Sequence, residues 1–195
     1  VIDARQARTR LALDGALHRL LASTPLDTIT VSQLCREAGV HRTTFYAHAP
    51  TVYAFAIDEF TRRLDQISAV AVAPGETDTD EIAERYFESL VQLLEHVASE
   101  RSGYRALFAA SVRGAFRSVL TERLRHRAML AIEVWGARAV PGIPQTEQSR
   151  AEASAFIAGG LVSVIETWAF GDDVDAAAAA RRVGTLMPAW WPAAP

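Results

Sequence analysis

Between His41 and His48 the chain reads HRTTFYAH, and six of these eight residues can donate or accept a hydrogen bond. A planar guanidinium at Arg42, hydroxyls at Thr43, Thr44 and Tyr46, and imidazoles at His41 and His48 form a set suited to a nucleic-acid groove. Arginine can pair bidentately with guanine, a threonine methyl can touch a thymine methyl, and hydroxyls can hold phosphates. Val40 and Phe45 are placed to lock the segment onto its neighbours. Catalytic chemistry is poorly served by the rest of the chain, which has no glycine-rich phosphate loop, no paired metal-binding cysteines and no nucleophile elbow. Cys35, His41 and His48 do not make a metal site, because Cys35 falls on an apolar helix face and the histidines fall outward. Glu122 and His126 stand four apart on a helix, a spacing that can hold a metal but that reads as a solvated surface contact. The expectation is therefore a non-enzyme with no metal and no cofactor.

The elements that must position these side chains follow from the flanking residues. Thr30 with Gln33 three residues later can close a capping box, so a helix is expected from Val31. Val31, Leu34, Cys35 and Ala38 recur at helical spacing on one face, with Ser32, Gln33, Arg36 and Glu37 on the other. Gly39 supplies the positive φ that a sharp helix exit needs, and a second helix is expected from His41 to about His48. The product is a helix-turn-helix.

LCREAGVHRTTFYAH resembles the recognition segment of the TetR family of transcriptional regulators, through Ala38, Gly39, Val40, His41, Arg42, Thr43, Thr44, Phe45, Tyr46 and His48. The resemblance covers about the first sixty residues closely and the remainder as a helical outline. Members of that family usually carry a phenylalanine after the histidine and a lysine at the start of the next helix; this chain has Ala49 and Val52. Thr51 is placed to replace the lost phosphate contact with a hydroxyl or a backbone N–H at a helix start. The resemblance implies that Thr30 and Tyr46 meet phosphates, Arg42 and Thr44 meet bases, and His41, Thr43 and His48 meet either.

Composition agrees with a folded, nucleic-acid-touching protein that is not coated in nucleic acid. The chain has 195 residues, 50% hydrophobic, with a formal charge of −3. Residues 1–50 hold six arginines against four acids, whereas residues 51–195 are net acidic. All the basic residues are arginine, so each cationic phosphate contact would be a guanidinium. The single cysteine excludes an intramolecular disulfide and fits a reducing compartment. With no charge-free apolar run near ~18 residues and no signal-peptide pattern, no membrane partner is expected and the location is expected to be cytoplasmic.

Leu13, Ala16, Leu17, Leu20 and Leu21 predict an amphipathic helix from about Thr9 to Ser23, with Arg5, Arg8 and Arg10 at or before its start, either reaching DNA or solvated. A connecting helix is expected from Thr51 to about Val72, roughly 30 Å long. Pro74-Gly75 begins a loop. Ile82, Tyr86, Leu90 and Val97 then mark a helix to about Ser99, a break is expected at Gly103, and a long helix runs from Val112 to about Arg138. The segment from Gln145 to Phe170 is apolar nearly all round and must be covered on more than one face. A last helix is expected from Asp173 to Leu186.

The predicted fold is all-α: a three-helix helix-turn-helix unit, residues 1–50, followed by a ligand-binding and dimerisation bundle, residues 51–195. The last two helices are expected to form a homodimer interface through Phe156, Gly159, Gly160, Val164, Ala177 and Arg181, where the glycines permit close helix approach. The family resemblance implies a small-molecule effector pocket, with candidates Phe60, Tyr86, Leu90, Phe108, Phe116, Trp135, Glu166 and Trp168. Residue pattern alone reads any one of these aromatics as packed core, and leaves Glu166 exposed, hydrogen-bonded or in a cavity. The implied function is a homodimeric repressor that binds a near-palindromic operator in double-stranded DNA and is released by its effector. The alternative is a dimeric helical adaptor or ligand-binding protein that no longer binds DNA. A helical enzyme is disfavoured by the lack of an acid, base and nucleophile cluster.

Overall fold

The computed structural model describes residues 4–67, 69–73 and 76–191. Among them are nine α-helices and no strand. The order is α1 (Ala4–Leu21), a 3₁₀ turn (Leu26–Thr28), α2 (Val31–Ala38), α3 (Arg42–Tyr46), α4 (Val52–Ile67), α5 (Thr79–Ser99), α6 (Arg101–Ala109), α7 (Arg113–Ala137), α8 (Glu147–Phe170) and α9 (Ala176–Gly184). Helices α1 to α3 pack together at one end, while α7 lies along α8 and α5 packs on both α8 and α9. Helix α4 passes from the first group to the second, touching α5, α6 and α7.

One apolar core runs without interruption from Leu13 and Leu17 of α1, through Leu34, Phe45, Phe55 and Phe60, into Leu94, Tyr104, Phe116 and Ile165. A smaller cluster joins Ile82, Ile132, Trp135 and Ile143, with Tyr86 and Trp191 against it. Helices α5, α8 and α9 start on side-chain caps that satisfy otherwise orphaned amides. Asp78 accepts from the amides of Asp80 and Glu81 at the head of α5, Thr146 and Ser149 close a capping box on α8, and Asp175 accepts from Ala178 on α9. At the other end of α8, Arg105 donates to the carbonyls of Ala169 (2.6 Å) and Gly171 (3.0 Å), placing a cation where the helix dipole is negative.

The described residues differ from the sequence expectation at several ends. Helix α1 starts at Ala4 rather than near Thr9, so Arg5, Arg8 and Arg10 lie inside it. Helix α4 stops at Ile67 instead of Val72 and is thus ~24 Å long. The β-branched Val70 and Val72 favour extended backbone, and Val72 packs onto the Trp135 cluster instead of prolonging the helix. Gly103 does not break the chain; it lies inside α6, where an added Cβ would fall 2.0 Å from Cζ of Phe60. Glycine serves there for close approach of α6 to α4. Helix α9 is shorter than the expected Asp173–Leu186 because Asp175 caps it. The expected Pro74-Gly75 loop start lies outside the described residues.

By length and composition α8 alone among the described helices could cross a membrane. One face of it is buried in protein through Ile157, Val162 and Ile165, and its Glu166 is ion-paired to Arg113 (2.7 Å) and Arg117 of α7. These contacts account for the helix as a packed element.

Candidate nucleic-acid interface and effector cavity

The expected capping box is present: the Thr30 hydroxyl accepts from the Gln33 amide (3.2 Å), and the Gln33 side chain accepts from the Thr30 amide (2.8 Å). Gly39 takes φ 66° and ψ 31°, the left-handed conformation that turns the chain out of α2 and into α3. Five helical residues cannot hold a helix by their own hydrogen bonds. Phe45 does so: it is fully buried, 5.6 Å from the Tyr46 ring and 6.1 Å from Phe55 of α4. Burial of such a ring contributes about 1.5–3 kcal/mol, more than a cap.

With Phe45 as the anchor, His41, Arg42, Thr43 and Tyr46 are exposed, and Thr44 and His48 are half-buried beside them. Arg42 reaches Tyr46 one turn on (3.5 Å), which aligns guanidinium and phenol on one face. Cys35 lies beneath, buried, and that burial pushes its thiol above the ordinary range while the Arg42 charge partly opposes the rise. It is a packing residue. Thr30 is exposed, but its hydroxyl already donates to Gln33 (2.8 Å). The Thr51 hydroxyl accepts from the Ala54 amide (3.0 Å) and caps α4, leaving its proton for another acceptor. Arg36, exposed in the last turn of α2, borders the same surface and was not singled out from sequence; its position opposite the apolar face was the available signal. Arg10 is engaged away from this surface, pairing with Asp58 and Glu59 (2.7 Å) of α4 and lying over the Phe55 ring (5.7 Å).

Two ties couple the α1–α3 unit to the rest of the molecule, through Asp27 and His18, and a third, through Arg19, closes the unit on itself. Asp27 accepts from the Tyr53 hydroxyl (2.8 Å) at the head of α4 and from the Ser111 hydroxyl (2.9 Å) and amide between α6 and α7; these bonds hold its carboxyl below the usual range. Arg19 of α1 pairs with Glu37 of α2 (2.6 Å). His18 of α1 stacks on Phe60 (5.3 Å) and sits between Asp14 (3.3 Å) and Glu100 (2.7 Å) at the α5–α6 junction. The neighbouring Asp14 carboxylate first, then the Asp14 carbonyl and Glu100, raise this imidazole to about 9 against the opposing effect of burial.

A cavity of about 490 Å³ opens between α5, α7, α8 and α9, within the range of small-molecule sites. Tyr86 and Leu90 line it, together with Phe87, Leu93, Leu124, Ile157, Leu161, Met187 and Trp191. The other expected pocket residues do not line it. Phe60, Phe108 and Phe116 fill the core around Tyr104, with ring centroids 4.9–6.2 Å apart. Trp135 sits behind Tyr86 in the smaller cluster, Trp168 donates to the Leu94 carbonyl (2.8 Å), and Glu166 is held by its two arginines. Two arginines that the sequence did not assign to a pocket line the cavity. Arg127 follows Leu124 by three residues on the inward side of α7, and Arg181, expected at the dimer interface, stands exposed on α9 at the rim. Of the expected interface residues, Phe156 (68% exposed) and Gly160 lie open on α8, whereas Gly159, Val164 and Ala177 are half-buried. Glu122 pairs with Arg125 (2.9 Å) at the surface.

No family model and no curated protein matches the chain. Solved structures do. The chain is similar to the dihydroxyacetone kinase operon activator DhaS at a TM-score of 0.65 and 12% identity, over 91% of this chain and 93% of that one. It is also similar to AlkX, a TetR family repressor from Dietzia sp. strain DQ12-45-1b implicated in biodegradation of n-alkanes, at a TM-score of 0.53 and 22% identity, over 91% of this chain and 96% of that one. The architecture is all-α with a helix-turn-helix unit, as in these structures. Within that class it is the TetR-like fold.

Proposed function

We propose that this chain is a homodimeric, TetR-like transcriptional regulator, a repressor that a small molecule releases from a near-palindromic operator. The observation that carries the reading is α3: five residues held by one buried phenylalanine, with Arg42, Thr43, Tyr46 and His41 turned outward. A polar helix held in place by one buried anchor suits a major groove, and fold similarity to a repressor and to an operon activator supports the reading as a regulator. Residues 1–50 form the DNA-binding part and residues 51–195 the effector and dimer part. Arg42 and Thr44 meet bases, Tyr46 and Thr51 meet phosphates, and His41, Thr43 and His48 meet either.

The dimer forms through the outer face of α8, where Phe156, Gly160, Ser163 and Phe170 are exposed in line with Val174 beyond its end. Two recognition helices related by a twofold axis then enter successive grooves. The effector occupies the cavity among α5, α7, α8 and α9. A gel-shift of the full chain against DNA flanking its own coding region tests the reading. Retardation that competitor random DNA does not abolish, and that weakens steeply between low and high salt, is expected. No retardation at any salt, with a dimer intact in sedimentation, would favour a helical adaptor instead.

A further inference from the structure

The cavity wall is apolar on most sides, through Phe87, Leu90, Leu93, Leu124, Ile157 and Leu161, and among its lining residues there is no aspartate or glutamate. The charged groups that line it are both arginines, Arg127 and Arg181. Arg181 makes no ion pair among the described residues. Arg127 lies 4.0 Å from one oxygen of Asp65, whose other oxygen is closely engaged by Arg123. A pocket with apolar walls, two guanidiniums and no carboxylate among its lining residues favours a ligand with an apolar body and one anionic head.

Its size sets a limit as well. At about 30 Å³ per water-sized group, 490 Å³ holds roughly sixteen such groups. A body of roughly ten to fourteen carbons with a carboxylate fits that space.

Arg127 also connects the cavity to the recognition unit. Its guanidinium donates to the backbone carbonyl of Asp65, in the last turn of α4, while Arg123 holds the Asp65 carboxylate. The C-terminal end of α4 is thereby clamped to α7 by two cations at the negative end of the helix dipole. The N-terminal end of the same helix begins at Val52, beside the recognition segment, with Phe55 against Phe45.

We infer that the effector is an anionic amphipath, a medium-chain carboxylate, and that its head draws Arg127 from the Asp65 carbonyl, loosening the α4 clamp. The inference rests on the regulator reading for its second half, and only there. By linkage, whatever α4 displacement weakens DNA binding also weakens the ligand when DNA is bound.

The test uses the full chain and two readouts. Calorimetric titration without DNA compares dodecanoate, 1-dodecanol and dodecyltrimethylammonium on the wild type, Arg127→Gln and Arg181→Gln. Dodecanoate is expected to bind roughly tenfold or more tightly than the alcohol, and each variant to lose roughly tenfold for dodecanoate while keeping the alcohol. The ammonium should not bind. Equal affinity for acid and alcohol, or variants that leave dodecanoate unchanged, would overturn the ligand class. Since Arg181 is exposed, its variant tests the charge even if Arg127→Gln fails to fold. The second readout is binding to operator DNA. Without ligand, Arg127→Gln should already bind operator DNA roughly tenfold more weakly than wild type, because its clamp is gone, whereas ligand-free Arg181→Gln should bind like wild type; wild-type operator affinity for ligand-free Arg127→Gln would overturn the clamp. If dodecanoate binds and no DNA is ever retained, the ligand class stands and the regulator reading fails.

Discussion

At the scale of single residues, Arg42 and His18 bear on function and stability in separable ways. Arg42 is exposed and its side chain reaches Tyr46, so removing it should leave the fold intact and change recognition. Arg42→Ala should weaken operator binding by about 1–3 kcal/mol per half-site while binding to random DNA changes little. Equal losses on both, measured by competition gel-shift, would make it a phosphate contact. His18 answers to pH. Its imidazole is near 6.5 when unfolded and about 9 in the folded chain, so the protonated form is stabilised by folding. The contribution is fully present below pH 6.5 and is lost as pH rises through 9. Because the side chain is about a third exposed to solvent, screening cuts the effect to about 1–2 kcal/mol. Thermal melts from pH 6 to 9.5 should show a steeper decline for the wild type than for His18→Asn; parallel curves would mean that the ion pairs with Asp14 and Glu100 contribute nothing.

At the scale of elements, α4 and α6 meet with no room between them. Alanine normally improves a helix over glycine by about 1 kcal/mol. At Gly103 the sign reverses, because the new methyl would collide with a Phe60 ring that is itself fixed between His18 and Tyr104. Gly103→Ala should therefore destabilise by about 1–2 kcal/mol net, lowering the melting temperature by roughly 2–8 °C. Adding Phe60→Leu should recover part of the loss, and an unchanged melting temperature for the single variant would refute the close approach. A glycine in mid-helix looks like a break when only local propensity is considered. It is tolerated in α6 because the contact across to α4 demands it.

At the scale of the whole molecule, the proposed dimer rests on the outer face of α8. A Cβ built at Gly159 or Gly160 meets nothing within the subunit. Gly159→Leu should leave the subunit fold unaltered and yet shift sedimentation from dimer to monomer. Operator binding would fall with it, since each half-site is then held alone. A dimer that survives the substitution would move the interface elsewhere. Asp27 belongs to this scale too, for it ties the 3₁₀ turn before α2 to the head of α4 and to the α6–α7 corner in one set of hydrogen bonds. Movement of α4 is therefore transmitted to the recognition unit through short polar contacts as well as through Phe45 and Phe55.

Much of the recognition unit was legible in the residues. The Thr30–Gln33 box, the left-handed Gly39 and the apolar stripe of α2 act within a few residues of each other, and such local interactions leave a pattern along the chain. The helical composition and the apolar character of α8 were legible for the same reason. The position of the cavity was not: periodicity marks which side of a helix faces inward, but does not reveal whether an inward side chain meets another side chain or a void. Phe60, Phe108 and Phe116 satisfy one another in the core, whereas Leu124, Arg127 and Trp191, remote in sequence from Tyr86, converge on the open space. Nor could the end of α4 be read locally, because Val72 leaves the helix to pack on Trp135. Short-range bonding therefore determined most of the helices and their caps from sequence alone, and only the packing of distant helices decided where the chain left a cavity and which arginines would face it.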